Sequence, residues 1–181
     1  MTVYVTFRMA DSLPETKLRI LKEEREAWLR EHPEPRNETT RIEHHLRCAL
    51  RTEAWLDQGY GSCALSKPKI RQVVEDTLSH FDQERYIQHA WVIMPNHVHA
   101  LFTLCGDQTV QSVLHSWKSY TAHQLVKNHL LPNPFWQEDY FDRIVRDTQH
   151  FGRTLRYIRK NPAQCASGAY THWEDPVYAA W

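Results

Sequence analysis

Neither sign of charge dominates this chain. Lys plus Arg number 22 and Asp plus Glu number 22, a formal net charge of zero, which disfavours a protein that coats nucleic acid by overall charge. A C-x-x-C pair is also missing. Cys48, Cys63, Cys105 and Cys165 are scattered, so a zinc ribbon or dithiol redox motif is excluded and reduced thiols are expected. No apolar run approaches the roughly 18 residues that span a bilayer, and the opening residues lack the basic start and cleavage site of a signal peptide. A cytoplasmic protein without a membrane partner is expected. There are no internal repeats or low-complexity tracts, and 181 residues, 41% of them hydrophobic, suit one compact domain.

What is present is organised around residues 90–104, AWVIMPNHVHALFTL. The run Trp91, Val92, Ile93, Met94 is stopped by Pro95-Asn96, and a second run carries His97 and His99, as in two strands of a hairpin. Side chains of a strand alternate between faces, so His97 and His99 point one way while Val98, Ala100 and Phe102 point the other. Neutral imidazole is a common metal ligand, and His-x-His on a strand offers two ligands from one rigid element. Rings placed on so apolar a strand need polar partners opposite them.

Around this hairpin the pattern alternates between strand and helix. Residues 3–9 read as a strand, and 14–31 and 39–57 as helices, broken by His32-Pro33-Glu34-Pro35 and by Gly59-Tyr60-Gly61. Ile70, Val73, Val74, Thr77 and Phe81 mark a helix over 67–81. Helical spacing returns over 110–130, a strand is expected over 135–145, and a helix over 148–160 is stopped by Asn161-Pro162. With 10–66 set aside as a helical insertion after the first strand, the order predicts an α+β fold of ferredoxin-like, split β-α-β type. Its antiparallel sheet carries helices on one face. The domain is expected over 1–166, followed by a tail over 167–181 that either docks back or gates a cleft.

Tyr120 and Gln124, four apart on the helix after the hairpin, share a face. A phenol is a weak nucleophile near its free pKa of about 10 and gains from a nearby cation, and an amide oxygen is a hard ligand for Mg²⁺ or Mn²⁺. His123, roughly 100° around the helix, is an alternative third ligand. H-E-x-x-H is absent and no carboxylate sits beside the histidines, which argues against a metal hydrolase of that kind.

At these residues the sequence resembles the single-tyrosine HUH transposases, and more closely their REP-associated tyrosine transposase branch. Met94-Pro95-Asn96-His97-Val98-His99 is similar to that branch's metal motif, and Trp117-Lys118-Ser119-Tyr120-Thr121 to its tyrosine motif. The stretch from Phe135-Trp136-Gln137 to Asp142-Arg143, with Tyr157-Ile158-Arg159-Lys160-Asn161-Pro162, resembles its downstream signature. The resemblance implies that Tyr120 attacks a phosphodiester of single-stranded DNA to give a 5′-phosphotyrosine and a free 3′-hydroxyl. It further implies that His97, His99 and Gln124 hold one divalent cation, Mg²⁺ or Mn²⁺, and that the substrates are palindromic hairpins with a single-stranded flank. A domesticated hairpin-binding protein without catalysis is the alternative, and either a monomer or a homodimer is compatible.

Local charge recovers what the balance hides. Arg143, Arg146, Arg153, Arg156, Arg159 and Lys160 face essentially one acid, Asp147, and such a stripe either tracks phosphates or is merely solvated. Lys118 is a further candidate for phosphate contact. Phe135, Trp136, Tyr140 and Phe141 offer rings for stacking bases or for the core.

Overall fold

The structure is a computed structural model that describes every residue except Arg36, His129, Leu130 and Pro132, and of Glu38, Arg41 and His45 the backbone only. Its elements follow one another as β1 (Thr2–Met9), α1 (Glu15–Glu31), α2 (Glu38–Leu56), α3 (Pro68–His80), β2 (Tyr86–Ile93) and β3 (His97–Leu104). Then come α4 (Val110–Lys127), β4 (Trp136–Ile144), α5 (Thr148–Lys160) and β5 (Thr171–Glu174). The sheet runs β4-β1-β3-β2-β5, with every neighbouring pair antiparallel. The expected class, α+β with an antiparallel sheet and a helical insertion after the first strand, is the one observed. The last residues of the helix expected over 110–130 include His129 and Leu130, which lie outside the described residues.

Strand pleat decides which side chains meet. Val3, Val5 and Phe7 of β1 share a face with Val98, Ala100 and Phe102 of β3, and this face is covered by α3 and α4 through Ile70, Val74, Leu78, Val113, Leu114 and Trp117. Tyr4 and Thr6 of β1 lie on the other face with His99 and Leu101. There a smaller core forms among Tyr4, Ala90, Val92, Leu101, Leu155 and Ile158. The expectation of helices on one face therefore holds for α3 and α4 but not for α5. Leu155 and Ile158, three apart and fully buried, commit α5 to the opposite face, each contributing about 1.5–3 kcal/mol of burial.

The ends of these helices are written locally. Pro68 opens α3 where its missing N–H costs nothing. Thr109 and Ser112 form a reciprocal capping box on α4, and the Asp147 side chain accepts the His150 N–H at the start of α5.

The insertion leaves the end of β1 and returns to it. Asp11 accepts the Ser62 N–H at 2.8 Å. Gly61, at φ +84°, passes so close that a Cβ would stand 2.3 Å from the Asp11 carbonyl oxygen, a position only glycine can occupy. The tail is not separate from the sheet: β5 pairs with β2 from Ile93↔Thr171 to Ala90↔Glu174.

Candidate active site

The pair singled out in the hairpin is buried and mutually oriented. His97 and His99 are 1% and 0% exposed, and their Nε2 atoms face each other at 3.0 Å. Burial pushes His97 down to about 3. His99 also lies well below the ordinary histidine value, from burial and then from His97, so both rings are neutral at physiological pH.

Asn96 fixes the first ring. Its Nδ2 donates to the carbonyls of Leu56 and Tyr60 at 3.2 and 3.1 Å, which turns Oδ1 toward His97 Nδ1 at 2.7 Å. An amide oxygen only accepts, so His97 Nδ1 carries the proton and Nε2 presents a lone pair to the site. The carbonyls that orient Asn96 belong to the end of α2 and the turn after it, so the insertion helps to set the motif.

His99 is held from β1. Its Nδ1 lies 2.7 Å from the Tyr4 hydroxyl and 2.9 Å from Thr6 Oγ1. Tyr4 in turn donates to Glu53 Oε1 of α2 at 3.2 Å. These are the polar partners that two buried rings require. When His99 Nδ1 donates to Tyr4, its Nε2 is left as a second lone pair beside that of His97.

The tyrosine on this face is Tyr157 of α5. Its ring centroid is 5.5 Å from that of His99, edge to face, and 6.0 Å from that of Tyr4. It lines one cleft with Glu53 of α2. Burial and then the Glu53 charge hold the phenol well above its ordinary pKa, yet the residue remains 36% exposed and opens into a cleft of about 480 Å³. One turn further, on the same helix face, stands Asn161. Its Oδ1 is buried without a hydrogen-bond partner, an arrangement that leaves an acceptor free for a cation.

Tyr120 and Gln124 are not brought to the histidines. The apolar positions of α4 pack on the face that carries Val98 and Phe102, with the Trp117 and Phe102 rings 5.1 Å apart. The sheet therefore lies between α4 and His97/His99. Tyr120 is 55% exposed, Gln124 is partly exposed, and His123 is exposed. The four-residue spacing of Tyr120 and Gln124 is real, but their shared face looks away from the sheet. Tyr157 and Asn161 have the same spacing, on the helix that packs against the correct face. That repeat of the pattern was the signal for them.

Of the basic residues, Arg143, Arg146 and Arg153 line the cleft in front of Tyr157, with His150. Arg156 is exposed but does not line it. Lys118 lies on α4, across the sheet, and donates to the Glu138 carbonyl. Phe135 and Trp136 are buried in the core, leaving Phe141, edge to face with Tyr4 at 6.3 Å, as the ring of that run nearest the site. A larger cleft of about 580 Å³ lies on the far side of Glu53 and Phe141, beneath α1, and does not reach Tyr157.

Tyr4, Glu53, Tyr157 and Asn161 receive no site role from the sequence. Tyr4, Thr6 and Arg8 alternate against Val3, Val5 and Phe7, a polar strand face that pointed to the first; Glu53 carries no comparable signal. Among the described residues no group of three or more His, Cys, Asp or Glu side chains could hold a metal ion. A cation here would need a donor of another type.

Comparison with known proteins comes to the same region. The family model described as IS200-like transposase matches residues 63–161, more than half of the chain. A REP-associated tyrosine transposase of Escherichia coli (strain K12) is 30% identical over 78 residues, 42% of this chain and 44% of the relative. An uncharacterized protein of Haemophilus influenzae is 25% identical over 115 residues, 51% of this chain and 62% of the relative. The chain thus spans roughly half the length of the curated relatives it matches. Among solved structures, a REP-associated tyrosine transposase bound to a REP hairpin aligns over 90% of this chain and 67% of the other, with 17% identity and a TM-score of 0.44.

Proposed function

The chain belongs to the IS200-like transposase family, and from that premise we propose that it cleaves and rejoins single-stranded DNA through Tyr157, with a divalent cation held by His97, His99 and Asn161. One observation carries the reading. A partly exposed phenol stands beside two facing imidazole nitrogens on one side of one sheet, and one helical turn beyond the phenol lies a buried amide oxygen without a hydrogen-bond partner.

Tyr157 Oη attacks the phosphorus of a DNA strand lying in the cleft, forming a 5′-phosphotyrosine and releasing a 3′-hydroxyl. Bound Mg²⁺ or Mn²⁺ would supply Lewis-acid polarisation and orientation of the scissile phosphate. His97 and His99 are prepared for that by neutral rings whose Nδ1 atoms are already engaged. Arg143, Arg146 and Arg153 bind the phosphates that flank the reacting one. Attack by another 3′-hydroxyl reverses the step and joins strands. A hairpin with a single-stranded flank is the substrate class, in line with the relative named for REP sequences. Tyr157, the histidines and Asn161 come from one chain, so a single copy has the complete set.

The test is a denaturing gel of the protein with end-labelled hairpin DNA in Mn²⁺ or in EDTA. A cation-dependent band at protein size is expected, lost in Tyr157→Phe and retained within about threefold in Tyr120→Phe. Loss in Tyr120→Phe with retention in Tyr157→Phe would reverse the assignment.

A further inference from the structure

Glu53 is a half-buried carboxylate that the family match does not include, since it lies on α2, before residue 63. It receives hydroxyls, Tyr4 OH at 3.2 Å and Thr6 Oγ1 at 3.5 Å, and it lines the same cleft as Tyr157, whose ring packs edge to face on that of Tyr4 at 6.0 Å. No Lys or Arg of the described residues forms an ion pair with it. A carboxylate placed in a partly closed site without a cation costs stability, and burial accordingly raises its pKa. Such a group is uncommon without a function.

We propose that Glu53, delivered by the insertion, is the general base that accepts the phenolic proton of Tyr157 during strand cleavage. The inference rests on Tyr157 being the nucleophile. A phenol is protonated at neutral pH, so it attacks only if its proton is taken as the bond forms. Glu53 is the carboxylate of α2 that lines the cleft with Tyr157. In the forward step the Oη–H bond breaks and the proton passes to the Glu53 carboxylate as the Oη–P bond forms. The P–O3′ bond breaks with its electron pair going to O3′, which is protonated from solvent. In rejoining, an incoming 3′-hydroxyl loses its proton to solvent as O3′ bonds to phosphorus. Tyr157 Oη then departs with the P–O pair and recovers the proton from Glu53. The insertion so acquires a chemical role: it lines the cleft opposite α5 and brings the base.

The charged and titratable groups that share a cleft or a contact with Glu53 are Tyr4, Arg8 and, through Tyr4, His99 from the central strands; Arg25 from α1 and Glu34 after it; His44, Cys48 and Asp57 from α2 itself; Asp139, Tyr140 and Arg143 from β4; Arg146 and Asp147 after it; and His150, Arg153 and Tyr157 from α5. Asp57 is the competing carboxylate, and it is one turn further along the helix.

The experiment measures single-turnover adduct formation by the full chain with a labelled hairpin bearing a single-stranded flank, at saturating Mn²⁺. Glu53→Gln is expected to slow the adduct roughly 100-fold or more with hairpin binding on a native gel unchanged, whereas Asp57→Asn keeps the rate. Replacing Tyr157 with the more acidic 3-fluorotyrosine is expected to restore a large part of the loss in Glu53→Gln, which a merely structural defect would not permit. If the unaltered chain forms adduct and Glu53→Gln matches it within about threefold, the base assignment is overturned while the tyrosine chemistry stands. If the unaltered chain forms none, the chemistry itself fails. Should Glu53→Gln not fold, as read by its melting transition, the unaltered chain decides. A rate that falls toward acid pH at saturating Mn²⁺ supports the base, and a flat profile from about pH 5 to about pH 9 overturns it.

Discussion

Asn96 shows how one residue ties the site to the rest of the chain. It takes two carbonyls from the insertion with its amide hydrogens and gives its oxygen to His97. Asn96→Ala is expected to weaken Mn²⁺ binding about 10- to 100-fold, measured by titration of the free chain, because His97 is then free to turn or change tautomer. Asn161→Ala is expected to weaken it comparably and Asn161→Asp to preserve it, since the carboxylate keeps an oxygen in place. Glu53 supplies a test of sign. Its pKa is raised in the folded protein above the ordinary 4.5, so between those two values the native state binds more protons than the unfolded state and stability falls as pH rises. Glu53→Gln removes that dependence. Its melting temperature is expected to exceed that of the unaltered chain increasingly as pH climbs through this window, and a variant that instead loses stability over the same range would show that the carboxylate is favourably held. At this scale the sequence was half legible. His97 and His99 were readable because strand pleat forces them together, whereas Glu53 shares a cleft with Tyr157 only through tertiary packing of an insertion that periodicity cannot place.

Helices were legible as elements but not as partners. The stretches 148–160 and 67–81 were found from apolar spacing and capping, and the observed α5 and α3 agree within a residue or so. What spacing does not give is the face of the sheet that a helix covers. The helix nearest in sequence to the histidines, α4, carries a tyrosine with a glutamine one turn on. Yet its apolar stripe of Val113, Leu114, Trp117 and Leu125 belongs to the core on the other side. The helix further on, α5, has a narrower stripe of Leu155 and Ile158 that packs with Tyr4 and Leu101. Ile158→Ala is expected to cost about 2–5 kcal/mol in chemical denaturation. In chains that remain folded it should slow adduct formation well beyond its effect on hairpin affinity, because it loosens the turn carrying Tyr157 and Asn161. β5 went unseen for a related reason: four residues with no alternation to speak of become a strand because β2 presents an open edge.

Over the whole molecule, a net charge of zero conceals three arginines, Arg143, Arg146 and Arg153, that line the cleft of Tyr157. Hairpin affinity should therefore depend on salt only through those few contacts. Each of Arg143→Gln, Arg146→Gln and Arg153→Gln is expected to reduce the slope of log affinity against log salt by about 1, and Lys118→Gln to leave it unchanged. A Lys118 effect equal to theirs would mean that DNA also crosses the α4 face. The insertion closes the cleft from above through Leu46, Ala49, Leu50 and Glu53, while β4 and α5 form its floor and far wall. No helix of the described residues is long and apolar enough to cross a membrane. In the proposed function, one face of the sheet, with Tyr157 on it, performs the covalent step. The most direct measurement is the mass of the proteolytic peptide that carries the nucleotide after the protein is trapped on hairpin DNA in Mn²⁺. The expected result is DNA on the peptide containing Tyr157. DNA on the peptide containing Tyr120 would contradict it and would require α4 to reach His97 and His99 in some other way.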